Sequence, residues 1–134
     1  MKLKAVVELW DDGTYSIYVS NTKTHNLNAQ GETVMEAKLN LLAAIDDYVY
    51  MYKERGEPIP KEISNPTFEY KYDLASFFDY FDCINVSKLA KKAGINPSLL
   101  RQYKNRIVFA SEAQTGKIQS AINELGSELA AVRL

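Results

Sequence analysis

Ser87-Lys88-Leu89-Ala90-Lys91-Lys92-Ala93-Gly94-Ile95-Asn96-Pro97-Ser98-Leu99-Leu100-Arg101-Gln102-Tyr103 reads as two short helices joined by a tight turn. Helices that cross steeply need a small residue where their backbones approach, met here by Ala90. They also need a glycine in the turn, met by Gly94 four residues later. Leu89, Ile95 and Leu100 are spaced to pin the crossing from inside. Asn96 reads as an N-cap with Pro97 at the first helical position, where a missing N–H costs nothing. Ala90, Gly94, Ile95 and Leu100 are thus the expected scaffold of a helix-turn-helix.

The distribution of charge bears on what such a pair would meet. From Cys83 to Ser111 there are six basic residues and no Asp or Glu, whereas the other 105 residues carry 10 basic and 17 acidic ones. A net charge of −1 over 134 residues therefore hides a cationic stretch suited to a polyanion. In helix-turn-helix geometry the second helix enters the major groove of double-stranded DNA with its N-terminal part toward base edges. Ser98, Arg101 and Gln102 share its exposed face and are the expected base readers, since Arg forks onto guanine O6/N7 and Gln onto adenine N6/N7. Lys88, Lys91, Lys92, Lys104 and Arg106 are expected on phosphates, which position a protein without reading sequence.

Downstream, Ser111 and Gln114 form a capping box for a long final helix that Gly126 is expected to kink or interrupt. Ile118, Ile122, Leu125 and Leu129 form an apolar seam along it. One recognition helix covers only a few base pairs, so useful specificity calls for two copies, and this seam is the expected interface of a homodimer or larger oligomer. Upstream, Leu74, Phe77, Phe78 and Phe81 recur at helical spacing after Asp73, a plausible N-cap. An all-α domain is therefore expected over residues 74–134. Residues 57–65 are prolyl and polar and read as a linker, while Phe68, Tyr70 and Tyr72 alternate with Glu69 and Lys71. Residues 61–73 are thus a linker or an extra strand.

The N-terminal part changes period. Leu3, Ala5, Val7 and Leu9 share one parity, Asp11-Asp12-Gly13 supplies turn chemistry, and Tyr15, Ile17 and Val19 alternate again. A weaker third strand is expected over 25–30. Thr33 with Glu36 opens a helix predicted over 33–55, with Val34, Ala37, Leu41, Ala44, Ile45, Tyr48 and Tyr52 on its buried stripe and Gly56 and Pro58 ending it. The predicted fold class is α+β. A small antiparallel sheet covered by one long helix (residues 1–60) precedes the helix-turn-helix domain.

With Ala90, Gly94 and Leu100 in place, the C-terminal half resembles the lambda-repressor-like helix-turn-helix superfamily. The N-terminal unit, with Asp12-Gly13-Thr14-Tyr15 in its hairpin and Gly31-Glu32-Thr33-Val34-Met35-Glu36-Ala37 opening its helix, resembles the N-terminal domain of HicB-type antitoxins. That resemblance implies a degenerate ribonuclease-H-like domain that binds and neutralises a small, basic, HicA-type ribonuclease toxin, while the C-terminal domain represses the shared operon. The acidic balance of residues 1–82, with 8 basic and 14 acidic residues, suits a cationic partner. The alternative is a stand-alone transcriptional regulator whose N-terminal domain oligomerises or senses, with no toxin partner.

Other chemistry finds little material. Cys83 is the one cysteine and His25 the one histidine, so no intramolecular disulfide and no structural zinc set are expected. Cys83 is expected to be buried as a small apolar residue, and His25 to be exposed in a loop or strand. Asp11 and Asp12 read as turn residues and Asp46 and Asp47 as a solvated helix face. No catalytic residues, metal or cofactor are therefore expected, and a nuclease would need convergent carboxylates that the sequence does not group. No apolar run approaches the roughly 18 residues of a membrane span, and the first residues do not read as a signal segment, so a cytoplasmic protein without a membrane partner is expected.

Overall fold

Strand β1 (Lys2–Leu9) buries Leu3, Ala5 and Val7 completely, as their shared parity requires. It pairs antiparallel with β2 (Tyr15–Val19), Val7 facing Ile17. Between them Trp10 N–H donates to the Thr14 carbonyl at 2.8 Å, and Gly13 takes the left-handed φ of +84° that the turn demands. The Asp12 carboxylate accepts from both the hydroxyl and the N–H of Thr14, and these bonds hold its pKa below the ordinary value. Strand β3 (Asn28–Gly31) adds antiparallel to β2, and β4 (Thr67–Tyr72) adds parallel to β1, giving the order β3-β2-β1-β4.

The chain is described over residues 2–134, in a computed structural model, and divides into two compact units, one ending at Tyr80 and one spanning Phe81–Leu134. Its α+β character matches the sequence reading in outline, with two differences. The sheet is mixed rather than antiparallel, because β4 returns along β1 after a long connection. The first unit also extends about 20 residues past its expected end near 60.

Helix α1 (Val34–Glu54) starts where Thr33 Oγ1 accepts the Glu36 N–H at 3.0 Å. It buries Val34, Ala37, Leu41 and Ile45 on the face of the sheet that carries Leu3, Val7 and Ile17. Gly31 permits this contact: a Cβ there would lie 2.6 Å from the Ala37 backbone nitrogen. Helix α2 (Leu74–Tyr80), capped by Asp73 Oδ1 accepting from Ser76 N–H at 2.7 Å, joins this unit and not the C-terminal one. Tyr15 donates to Asp79 at 2.6 Å, and the Phe77 ring meets Tyr72 edge-on at 6.1 Å.

The prolyl stretch is not a tether. Ile63 is buried in the sheet unit's core, and Glu62 anchors the stretch to the loop before β3. His25, expected in an exposed position, is buried: Nδ1 donates to Glu62 Oε2, and the Tyr52 hydroxyl lies 2.9 Å from Nε2. Thr24 Oγ1 also donates to Glu62, at 2.9 Å. Burial pushes the Glu62 carboxyl up, but the bonds from His25, Thr24 and the Lys23 backbone outweigh it and hold the pKa below the usual glutamate value.

The second unit comprises α3 (Val86–Ala93), α4 (Pro97–Lys104) and α5 (Glu112–Ala130), with α3 packed against both of the others. Helix α5 runs through Gly126 unbroken, against the expected kink. Cys83, in the turn before α3, is exposed and not buried. No helix among the described residues is long and apolar enough to cross a membrane.

Gly31→Ala should lower unfolding free energy by about 1–3 kcal/mol, because the obstructing atom belongs to helix backbone that cannot step aside. Urea titration would measure it. Glu62→Gln should cost about 1.5–3 kcal/mol near neutral pH by removing a charge-assisted acceptor. A carboxyl with a depressed folded pKa stabilises above its unfolded value, about 4.3, and loses that contribution as pH falls below it. Parallel titrations should therefore show the wild-type and Glu62→Gln stabilities converging in acid.

Candidate nucleic-acid interface

Helix α3 begins at Asn85, whose Oδ1 accepts the Lys88 N–H at 3.0 Å. It ends at Gly94, with φ +72° and ψ 32°. There the chain reverses so that Ile95 N–H donates to the Ala90 carbonyl at 2.9 Å and the Gly94 N–H to Lys91 at 3.2 Å. A Cβ on Gly94 would meet nothing within 4 Å, so the backbone angle, not crowding, demands glycine. The close approach is made at Ala90, which is fully buried. Asn96 Oδ1 then caps α4 by accepting the Ser98 N–H at 2.8 Å, with Pro97 in the first turn. Leu89, Ile95, Leu100 and Tyr103 are buried, as are Ile118 and Ala121 of α5. All four expected scaffold residues occupy these turn and core positions.

Of the expected base readers, Ser98 and Arg101 are exposed and Gln102 is half-buried. Arg101 Nη1 donates to Ser87 Oγ on α3 at 2.9 Å, so the guanidinium is braced across the two helices before any ligand arrives. Lys88, Lys91, Lys104 and Arg106 are exposed. Lys92 differs from them: its Nζ lies 3.2 Å from Glu128 and 3.3 Å from Glu124, both on α5. The Glu128 hydrogen bond, joined by Glu124, raises its pKa. Its charge is already answered within the unit by two carboxylates of α5.

Arg106 carries a signal that spacing did not reveal. It sits at φ +60°, in the left-handed region that favours glycine, where α4 closes with Ile107 N–H donating to Gln102 at 2.9 Å. An arginine held in that conformation is a strained residue placed beside the basic helix.

The expected dimer seam is split. Ile118 is buried in the unit's own core and leaves the seam, Ile122 and Leu125 are half-buried, and Leu129 is 63% exposed. Unmarked by sequence periodicity, Ile107 and Phe109 after α4 are 68% and 85% exposed. Among the described residues, no group of three or more His, Cys, Asp or Glu side chains is placed to hold a metal ion.

No protein-family model, curated protein or solved structure matches the chain.

Relief of the left-handed strain gives a direct check on Arg106. Arg106→Gly should raise the stability of the second unit by about 1 kcal/mol, read as a higher unfolding midpoint. An unchanged or lower midpoint would mean that the Arg106 side chain more than repays its backbone angle.

Proposed function

We propose that this chain is a DNA-binding, antitoxin-type transcriptional repressor that reads an operator through α4 and neutralises a small, basic, HicA-like ribonuclease. The observation that carries the DNA-binding half is the pairing of a glycine-turned helix crossing with an exposed face of Ser98, Arg101, Lys88, Lys91 and Lys104, in a stretch without a single acid. Arg101 takes the base-reading role, supported by its brace on Ser87, and Lys91 and Lys104 take phosphates. Gln102, half-buried, reads at the margin of the contact. Two copies are needed for a two-fold operator, and the exposed Leu129, Ile107 and Phe109 are the apolar residues best placed to join second units. In the first unit, exposed Asp46, Asp47, Glu54 and Glu57 on and after α1 favour a cationic partner.

Fluorescence anisotropy with DNA from upstream of the chain's own gene tests the proposal. Arg101→Ala should lose about 1–3 kcal/mol of discrimination at one base pair, while Lys91→Ala weakens all sequences alike and lowers the salt slope by about 1. Lys92→Ala should change the slope less, its charge being engaged by Glu124 and Glu128. Loss of neither affinity nor preference in Arg101→Ala overturns the recognition-helix assignment. Co-expression with the protein encoded by the adjacent reading frame tests the antitoxin half: failure to protect the cell favours the stand-alone regulator.

A further inference from the structure

The sheet of the first unit has two edges built in different ways. Strand β3 is four residues long, and Asn40 Nδ2 on α1 donates to its Gln30 carbonyl at 2.7 Å, so part of that edge is already engaged. Strand β4 is six residues long and stands at the other end of the sheet order, its outer side unpaired by any strand among the described residues. A strand edge of that length is a template for another strand unless something blunts it.

The sequence of β4, Thr67-Phe68-Glu69-Tyr70-Lys71-Tyr72, is complementary to itself when reversed. Centred on Tyr70, an antiparallel copy sets each Glu69 opposite Lys71 and each Phe68 opposite Tyr72. A slip of two residues one way sets Glu69 against Glu69, and the other way Lys71 against Lys71. Parallel in-register pairing does both. Opposite charges directly across a strand pair stabilise it and like charges oppose it, so these two residues select one register. Both are exposed, and the one ion pair that Glu69 makes among the described residues, with Lys2, is long at 3.9 Å and open to solvent.

Apolar cover of this edge is uneven: Phe77 and Tyr80 of α2 pack on Tyr72 at one end, whereas the Phe68 end borders an open groove. Lys38 of α1 sits 4.1 Å from the centroids of Tyr70 and Tyr80, which identifies the flank of α1 that faces β4. Farther along that flank, Leu42, Val49, Ile63 and Phe68, together with Asp46 and Lys53, line an open groove of about 420 Å³. Met35 and Leu39, three to seven residues before Leu42 and hence on the same side of the helix, are 51% and 58% exposed, and Leu42 is 44% exposed.

We propose that two copies of this chain join through β4, antiparallel about a two-fold axis at Tyr70, into one continuous eight-stranded sheet. The axis places Tyr72 of the second copy beside Phe68 and its groove, so the aromatic half of one strand end covers the open half of the other. The exposed flank of α1 gains a neighbour in the same step. This interface belongs to the first unit and is independent of DNA binding. A chain that also pairs through its second unit would be bivalent and would assemble beyond a dimer.

Sedimentation velocity of the full chain at micromolar concentration tests the proposal, with circular dichroism confirming that each variant is folded. Glu69→Lys and Lys71→Glu should each halve the mass relative to wild type, because every cross-strand pair becomes like-charged. The double variant Glu69→Lys/Lys71→Glu should recover the wild-type mass, because swapping both charges restores the match. Where the second units pair as well, the wild type should be larger still, and each single variant should fall to the assembly that the second units hold alone. Equal masses for wild type and both single variants would overturn the proposal. So would a double variant that stays at the halved mass, or a wild type that gains mass only when a different protein's strand is added.

Discussion

Gly94 holds a backbone angle of φ +72°, and the course of the chain into α4 depends on it. Only in that conformation can Ile95 double back to donate to Ala90, and only then does Ala90 let the two helices approach. The outward residues follow from this crossing. Arg101 reaches Ser87 because α4 leaves the turn at the angle Gly94 sets, and the lysines of α3 come to share a surface with those of α4. A shape of this kind with no acid along its stretch is a chemical statement as much as a structural one, since the carboxylates that α5 brings against it, Glu124 and Glu128, are engaged by Lys92.

The first unit is organised around a different constraint. Strand β1 is hydrogen-bonded on both sides, by β2 and by β4, and its fully buried residues leave α1 little freedom in where it lies. Gly31 brings the start of α1 down onto the sheet, and Glu62 ties the prolyl return to His25 and Thr24 so that β4 arrives parallel to β1. The unit therefore closes near residue 80, and α2 completes it. Its exposed acids and its uncovered β4 edge are separate resources, one suited to a cationic partner and the other to a second copy.

What the sequence reveals here is what short spacing controls. Thr33, Asp73, Asn96 and Ser111 cap helices where their side chains indicate, because an N-cap involves residues only two or three apart. The alternation of Leu3, Ala5 and Val7 and the stripe of Val34, Ala37 and Leu41 are equally local. The surprises share long separations. His25 is buried because Glu62, 37 residues away, accepts its hydrogen bond, and no nearby residue hints at that. Lys92 is engaged by Glu124 and Glu128, on a helix that spacing alone could not place against it. Ile118 reads as part of a seam because periodicity reports which residues are apolar and aligned, not which neighbour consumes them. Cys83 fails for a related reason: apolar neighbours in sequence do not bury a residue that lies in a turn.

If the proposed reading holds, DNA contacts are confined to the surface turned by Gly94. Amide shift mapping of the full chain, titrated with a duplex from upstream of its own gene, measures this residue by residue. The account predicts large shifts at Ser98, Arg101 and Gln102, smaller ones along Lys88–Lys91 and at Lys104–Arg106, and none in β1–β4. Shifts concentrated on the sheet unit, or no saturable change in α4 at low salt, would contradict it.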